Sequence, residues 1–304
     1  MNGTMLLQWW YLKMRIKPKE KEARELKISF MSKEDYTCPV CVEVFKREEL
    51  LSGSGRLIAG KLTDELHRLY EPSVKYGDVY PLAYQATVCP KCWFAAMDKD
   101  FTEMPNEMKI AAMNDSKRRI KDTKLIFPET DFTQVRDLSA GAASLYLVLR
   151  CYEYFPKGSS PTIKQGIAAL RAGWLLDALD EKSPGQHYDW LALLFKKKAN
   201  YLYNEAIRRE QSGKETLSAL KIFGPDTDKN YGYEGALYLT ALLRYKYSFR
   251  DDPSQRARTL EEAKRTIAKI FGVGKSSKAK PGPLLEHAKN LYEIMSKELN
   301  ETDV

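Results

Sequence analysis

Two C-P-x-C units, Cys38-Pro-Val-Cys41 and Cys89-Pro-Lys-Cys92, hold the residues of this chain best suited to chemistry. A tight turn inside each unit points backbone N–H groups at the sulfurs and spreads thiolate charge. Proline after the first cysteine fixes φ in that turn. Two such knuckles supply four soft sulfur donors, the tetrahedral set that suits Zn²⁺. Protein then fills every coordination position, so the ion is structural and leaves no open position for a catalytic water. Two other readings compete. Four unrelated cysteines would require both units to arise by chance among only five cysteines. A redox dithiol would sit at a strand-to-helix junction of a βαβ unit, and no such pattern surrounds Cys38 or Cys89. The expected site is one Zn²⁺ on Cys38, Cys41, Cys89 and Cys92. Cys151 lies in an apolar run and reads as a buried, inert thiol.

Other motifs fall short. Gly272-Val-Gly-Lys-Ser276 ends like a phosphate-binding loop, but Lys269 stands where the first glycine is needed, and a helix precedes it instead of a strand. Asp226-Thr-Asp-Lys-Asn230 starts like a calcium loop, but Tyr231 and Leu237 replace its glycine and its closing glutamate. It reads as an ordinary loop with an exposed acidic edge. His67, His187 and His287 have no histidine partner at helical spacing. His67 is expected to be exposed or half-buried.

The knuckles must be positioned by the 47 residues between them, 42–88. Residues 42–45 alternate apolar and polar like a short strand. Leu62, Leu66 and Leu69 predict a short helix over 61–70, ended by Pro72. Residues 80–88 read as a strand delivering Cys89. From Leu138 onward the pattern is helical, with apolar stripes over 139–155, 161–180, 188–211, 235–247, 253–271 and 284–299. Six amphipathic helices joined by short breaks resemble tetratricopeptide-type pairs, although no 34-residue period is sharp. The expected fold is mainly α: a small zinc-ribbon-like α+β module, then TPR-like helical hairpins. The expected domains are a basic arm (1–30), the two-knuckle module with an inserted helix and a linker (31–137), and the helical domain (138–304).

The N-terminus carries a nine-residue apolar segment, Thr4 to Leu12, followed by seven Lys/Arg and three Glu over 13–27. A secretory signal has the opposite order. Trp9 and Trp10 offer weak membrane-surface contact; the alternatives are a loosely docked arm, or a natural start at Met31. No apolar run is long enough to span a bilayer. A low, odd cysteine count points to a reducing compartment, the cytoplasm.

The paired knuckles, the run Tyr84-Gln-Ala-Thr-Val-Cys-Pro-Lys-Cys-Trp-Phe-Ala95 and the segment Ala169-Leu-Arg-Ala-Gly-Trp-Leu175 resemble an uncharacterised bacterial family, a domain of unknown function. It combines a two-knuckle cysteine module with TPR-like helices. The resemblance covers about 31–299 and departs at Trp93, where that family carries glycine. It implies a bacterial cytoplasmic protein and supplies no reaction.

Three functions compete. The first is a zinc-stabilised scaffold whose helical surface binds a protein partner. The alternative is nucleic-acid binding through basic clusters: Lys196, Lys197 and Lys198, or Lys264, Arg265, Lys269, Lys275, Lys278 and Lys280. A net charge of +8 over 304 residues is too mild to decide between them. The third is an enzyme, which needs a deep pocket of converging polar groups.

Overall fold

The computed structural model describes residues 27–217, 220, 223–248, 250–272 and 282–302. Residues 1–26 with Trp9 and Trp10, the cations Lys275, Lys278 and Lys280, and most of the phosphate-loop lookalike lie outside the described residues. The described chain is mainly helical, with a strand-rich N-terminal part.

Three two-stranded antiparallel sheets come first. β1 (Ser29–Thr37) pairs with β2 (Val44–Leu50), β3 (Ile58–Leu62) with β4 (Arg68–Glu71), and β5 (Ala86–Val88) with β6 (Ala95–Met97). The helices are α1 (Asp98–Thr102), α2 (Asn106–Asn114), α3 (Ser116–Ile126), α4 (Leu138–Cys151), α5 (Pro161–Lys182), α6 (Tyr188–Gln211), α7 (Gly232–Tyr247), α8 (Pro253–Gly272) and α9 (Gly282–Thr302). From α4 to α9, each helix packs on the next.

The stripes explain the later helices. Leu260, Ala263, Ile267 and Ile270 of α8 are fully buried, as are Leu284, Ala288 and Met295 of α9. α4 is capped by Asp137, whose carboxylate accepts from the Ala140 N–H at 2.7 Å. α5 starts with Pro161, where the missing N–H costs nothing.

The inserted helix is absent. Residues 58–71 form the β3–β4 hairpin, because Leu66 takes a left-handed φ of 58° and the Thr63 N–H donates to the His67 carbonyl at 2.8 Å. The leucine spacing matched a helical period by coincidence: Leu66 is buried in the main core while Leu69 is 43% exposed. The strand expected over 80–88 is shorter. Pro81–Tyr84 forms a buried 3₁₀ turn, and only Ala86–Val88 pairs. The stretch expected as linker instead holds α1, α2 and α3.

Two buried clusters meet at α4. In one, Leu66, Leu82, Tyr84 and Phe127 join Leu145, Leu170, Trp174 and Leu237. In the other, the cysteine knuckles, Phe94 and Phe101 join Leu147, Val148 and Cys151. α4 is apolar on most of its circumference, so it serves as a wall shared by both. The β3–β4 turn is fastened to the helices by Glu65. Its carboxylate accepts from Trp174 Nε1 (2.6 Å), Lys246 Nζ (2.9 Å) and the Tyr247 hydroxyl (2.5 Å). The Asp226 loop packs here as well. Asp226 is not part of an exposed acidic edge: it is buried, and accepts from the Arg68 N–H at 2.8 Å.

Two consequences are testable. Gly141 on α4 touches the 3₁₀ turn so closely that an added Cβ would lie 2.6 Å from Ala83 Cβ and 2.8 Å from Ala83 Cα. Alanine gains about 1 kcal/mol of helix propensity, but the overlap with backbone outweighs it. Gly141→Ala should be destabilised by about 1–3 kcal/mol; a raised melting temperature would refute the contact. For Glu65, burial raises the carboxyl pKa, but the Lys246 charge and the bonds from Tyr247 and Trp174 outweigh it and hold the group below the ordinary value of 4.5. Its contribution is full above that value and is lost as pH falls through the lower folded one. Glu65→Gln should cost about 1–3 kcal/mol at neutral pH. The gap in stability to the native chain should begin to shrink as pH falls below about 4.5 and close below the lower folded value. A gap that does not shrink at all in acid contradicts the assignment.

Candidate metal centre

Each knuckle is the tip of a hairpin. The β1–β2 register ends at Thr37 opposite Val44, and the chain between them carries Cys38 and Cys41. The β5–β6 register ends at Val88 opposite Ala95, with Cys89 and Cys92 between them. The two tips share one pattern of bonds. Cys38 N–H donates to the Glu43 carbonyl (2.8 Å), and Val42 N–H to the Cys38 carbonyl (3.0 Å). Cys89 N–H donates to the Phe94 carbonyl (2.9 Å), and Trp93 N–H to the Cys89 carbonyl (3.0 Å). Closing this turn needs a left-handed residue after the second cysteine. Val42 (φ 55°) and Trp93 (φ 56°) adopt it without glycine. The turn geometry therefore survives the replacement of glycine at 93.

The two tips face each other. Cys38 Sγ lies 3.7 Å from Cys92 Sγ, and Cys41 Sγ lies 3.5 Å from Cys89 Sγ. All four sulfurs fall within 4.8 Å of one another, a group able to hold a metal ion. Bonds of about 2.3 Å to a tetrahedral zinc separate its sulfurs by about 3.8 Å, so this set fits such an ion. All five cysteines are free thiols. An exposed ion pair, Lys91 Nζ to Glu43 Oε2 at 2.8 Å, links one tip to the other.

The thiols are electrically interdependent. Hydrogen bonds from Cys89 and Cys92 lower Cys38 to about 4, against the opposing effect of burial. The hydrogen bonds they give Cys38, with burial and a smaller effect of its charge, raise Cys89 and Cys92. Cys38 thus gives up its proton readily while Cys89 and Cys92 hold theirs. A divalent cation removes that resistance.

Support beneath the second tip comes from a residue that sequence reasoning missed. Arg119 of α3 is fully buried. It donates to the carbonyls of Cys92 (2.7 Å), Trp93 (3.1 Å) and Ala112 (3.0 Å), with Asp115 at 3.8 Å. Nothing distinguishes Arg119 from Arg118 beside it in the sequence. Cys151 stays outside the four-sulfur group. It accepts from the Ala95 N–H at 3.4 Å, and burial pushes its thiol up to about 11, so it remains protonated. The histidines are elsewhere. His67 is half-buried, stacked 4.2 Å above Trp174; His187 precedes α6 and His287 lies on α9.

The matched tips yield a paired test. Val42 is 76% exposed, so glycine there sacrifices little burial. Relief of about 1–2 kcal/mol of left-handed strain exceeds glycine's entropic cost of about 0.5–1 kcal/mol. Val42→Gly should stabilise the chain slightly. Trp93 is buried and meets Phe132 edge-to-face at 5.1 Å, so Trp93→Gly should cost about 3–5 kcal/mol. Chemical denaturation that ranks the two variants the other way would overturn this reading of the tips.

The profile of a bacterial family described as "Uncharacterized protein conserved in bacteria (DUF2225)" matches residues 31–295. An uncharacterised protein of Borreliella burgdorferi is 42% identical over 273 residues, covering 90% of this chain and 98% of the relative. No solved structure matches. A paired-knuckle cysteine cluster set in front of packed helices, within a profile match that takes in both, makes this chain a member of the DUF2225 family.

Proposed function

We propose that this chain is a cytoplasmic, non-catalytic adaptor. One structural Zn²⁺ on Cys38, Cys41, Cys89 and Cys92 organises its front, and TPR-like helices bind a protein partner. The zinc supplies rigidity only: with four thiolates it has no position left for a substrate. Five free thiols accord with a reducing compartment. No helix among the described residues is long and apolar enough to cross a membrane.

One observation carries the partner reading. α6 turns Trp190 (60% exposed), Leu193 and Leu194 (39% each) and Tyr201 (59%) to solvent. Four large apolar side chains within four turns of one helix exceed the scatter of single exposed residues on a surface and mark an interaction face. The second reading, nucleic acid, draws on Lys197, Lys198 and Arg208, exposed on that same helix, with Lys198 5.3 Å over the Tyr201 ring. It is weakened elsewhere: Lys196 is ion-paired to Asp177 at 2.5 Å, and Arg265 to Glu261 at 3.1 Å.

Purified, unchelated protein should contain one equivalent of zinc. Cys38→Ser or Cys89→Ser should lose it and melt the two hairpin tips, while helical circular dichroism is largely kept. Metal-free native protein with an unchanged melting curve would end the zinc reading. For the partner, in-cell crosslinking from position 194 should trap a protein that the same probe in a Trp190→Ala chain no longer traps. Trapping of nucleic acid instead would select the second reading.

A further inference from the structure

Two hollows flank α6 on the side facing α7 and α8. One, of about 630 Å³, is lined by Leu193, Lys197, Asn200 and Tyr201 of α6 and by the end of α7. The other, of about 380 Å³, is lined by Tyr201, Arg208 and Gln211 of α6 with residues of α7 and α8. They share Tyr201, Asn204 and Arg244, so they form one groove. From Leu193 to Gln211 it follows α6 for about 27 Å, room for about eight residues of extended chain.

The groove carries an excess of positive charge. Among its described residues, the larger hollow has four cations, Lys197, Arg244, Lys246 and Arg250, against Asp251 alone. The smaller has four cations, Arg208, Arg244, Arg265 and Lys269, against Glu205 and Glu262. Pairing to Glu205, Glu262, Glu261 and, for Lys246, Asp64 and Glu65 takes up Arg208, Arg244, Arg265 and Lys246, so the excess positive charge rests on Lys197, Arg250 and Lys269. Lys197 and Lys269 make no ion pair among the described residues. Tyr201, more than half exposed, stands where the hollows join, with Leu193 at one end. Beside it, Asn204 Oδ1 is buried and finds no donor. The amide nitrogen of Asn204 is already committed to Asn200.

We propose that this groove binds an acidic, extended peptide segment of a partner protein. An apolar side chain of that segment seats on Leu193 and Tyr201, and its carboxylates face Lys197, Arg250 and Lys269. Charge selects this occupant over two others. The chain's own arm carries seven Lys/Arg against three Glu over residues 13–27, the wrong sign. A second copy brings a net charge of +8. A nucleic-acid strand would match the charge but leaves the aliphatic Leu193 unfilled, and it enters the test as a comparator. The proposal rests on the adaptor reading and narrows it.

The test uses the full-length, zinc-loaded protein. Fluorescence anisotropy is read with a labelled peptide of about twelve residues, half Asp/Glu around a central Leu-Trp pair, long enough to fill the groove. A Lys-for-Asp/Glu version and a single-stranded oligonucleotide serve as comparators. The acidic peptide should bind, with affinity falling as salt rises. The basic version should bind at least about tenfold more weakly. Lys197→Glu and Lys269→Glu, both at the surface, and Tyr201→Ala should each weaken binding about fivefold or more while leaving the melting curve unchanged. Binding that ignores these substitutions, equal binding of the basic peptide, tighter binding of the oligonucleotide, or no binding at all would overturn the groove assignment. The adaptor reading fails separately. Should the crosslinked partner map to Trp190 yet leave Lys197, Tyr201 and Lys269 unprotected from hydrogen exchange or modification, the groove proposal falls and the adaptor stands. If the peptide binds in the groove but no partner is ever crosslinked, the groove stands and the adaptor falls.

Discussion

Four thiols brought within 4.8 Å of one another impose the main constraint on this protein. Cys38 ionises easily; Cys89 and Cys92 resist, because they donate hydrogen bonds to it and are buried besides. The geometry leaves room for a cation held by all four. Each hairpin tip in turn depends on the cluster. Two-stranded sheets of three to nine residues are marginal when isolated. Here the tips are joined by sulfur to one another, and the second is held from below by Arg119. Through Phe94, Phe101 and the buried edge of α4, the same cluster continues into the helical core.

The helices receive a second attachment well away from the cysteines. The β3–β4 turn inserts Leu66 into the main cluster and anchors Glu65 to Trp174, Lys246 and Tyr247, residues of α5 and α7. Arg68 extends the join to Asp226 and Asp228. A buried carboxylate is tolerable only when its lone pairs are satisfied, and Glu65 meets three donors. Residues on both sides of position 137 therefore share cores, and the faces left over for other molecules lie on the outer helices.

Much of this arrangement was legible in the residues. The cysteine pairing followed from type and spacing, since few other patterns place four sulfurs in two identical turns. The helices after Leu138 followed from stripes such as Leu260, Ala263, Ile267 and Ile270, and the bounds of α6 match the periodic segment. Where the reading failed, the signal was absent or misleading. α3 presents SKRRIKDTKLI, in which the buried residues are Arg119 and Thr123; hydrophobic periodicity cannot register a helix whose inward face is polar. Leu62, Leu66 and Leu69 mimicked a helix because a left-handed turn at Leu66 aims one of them inward. The loop at Asp226 looked solvated because its burial depends on Arg68, 158 positions away.

The two knuckles share a backbone but not a setting. Cys38, Cys89 and Cys92 are sealed, whereas Cys41 is only partly covered and neighbours the exposed Val42. One of the four sulfurs thus lies nearest to solvent. Chelators, oxidants and competing soft metals would meet the cluster first at Cys41.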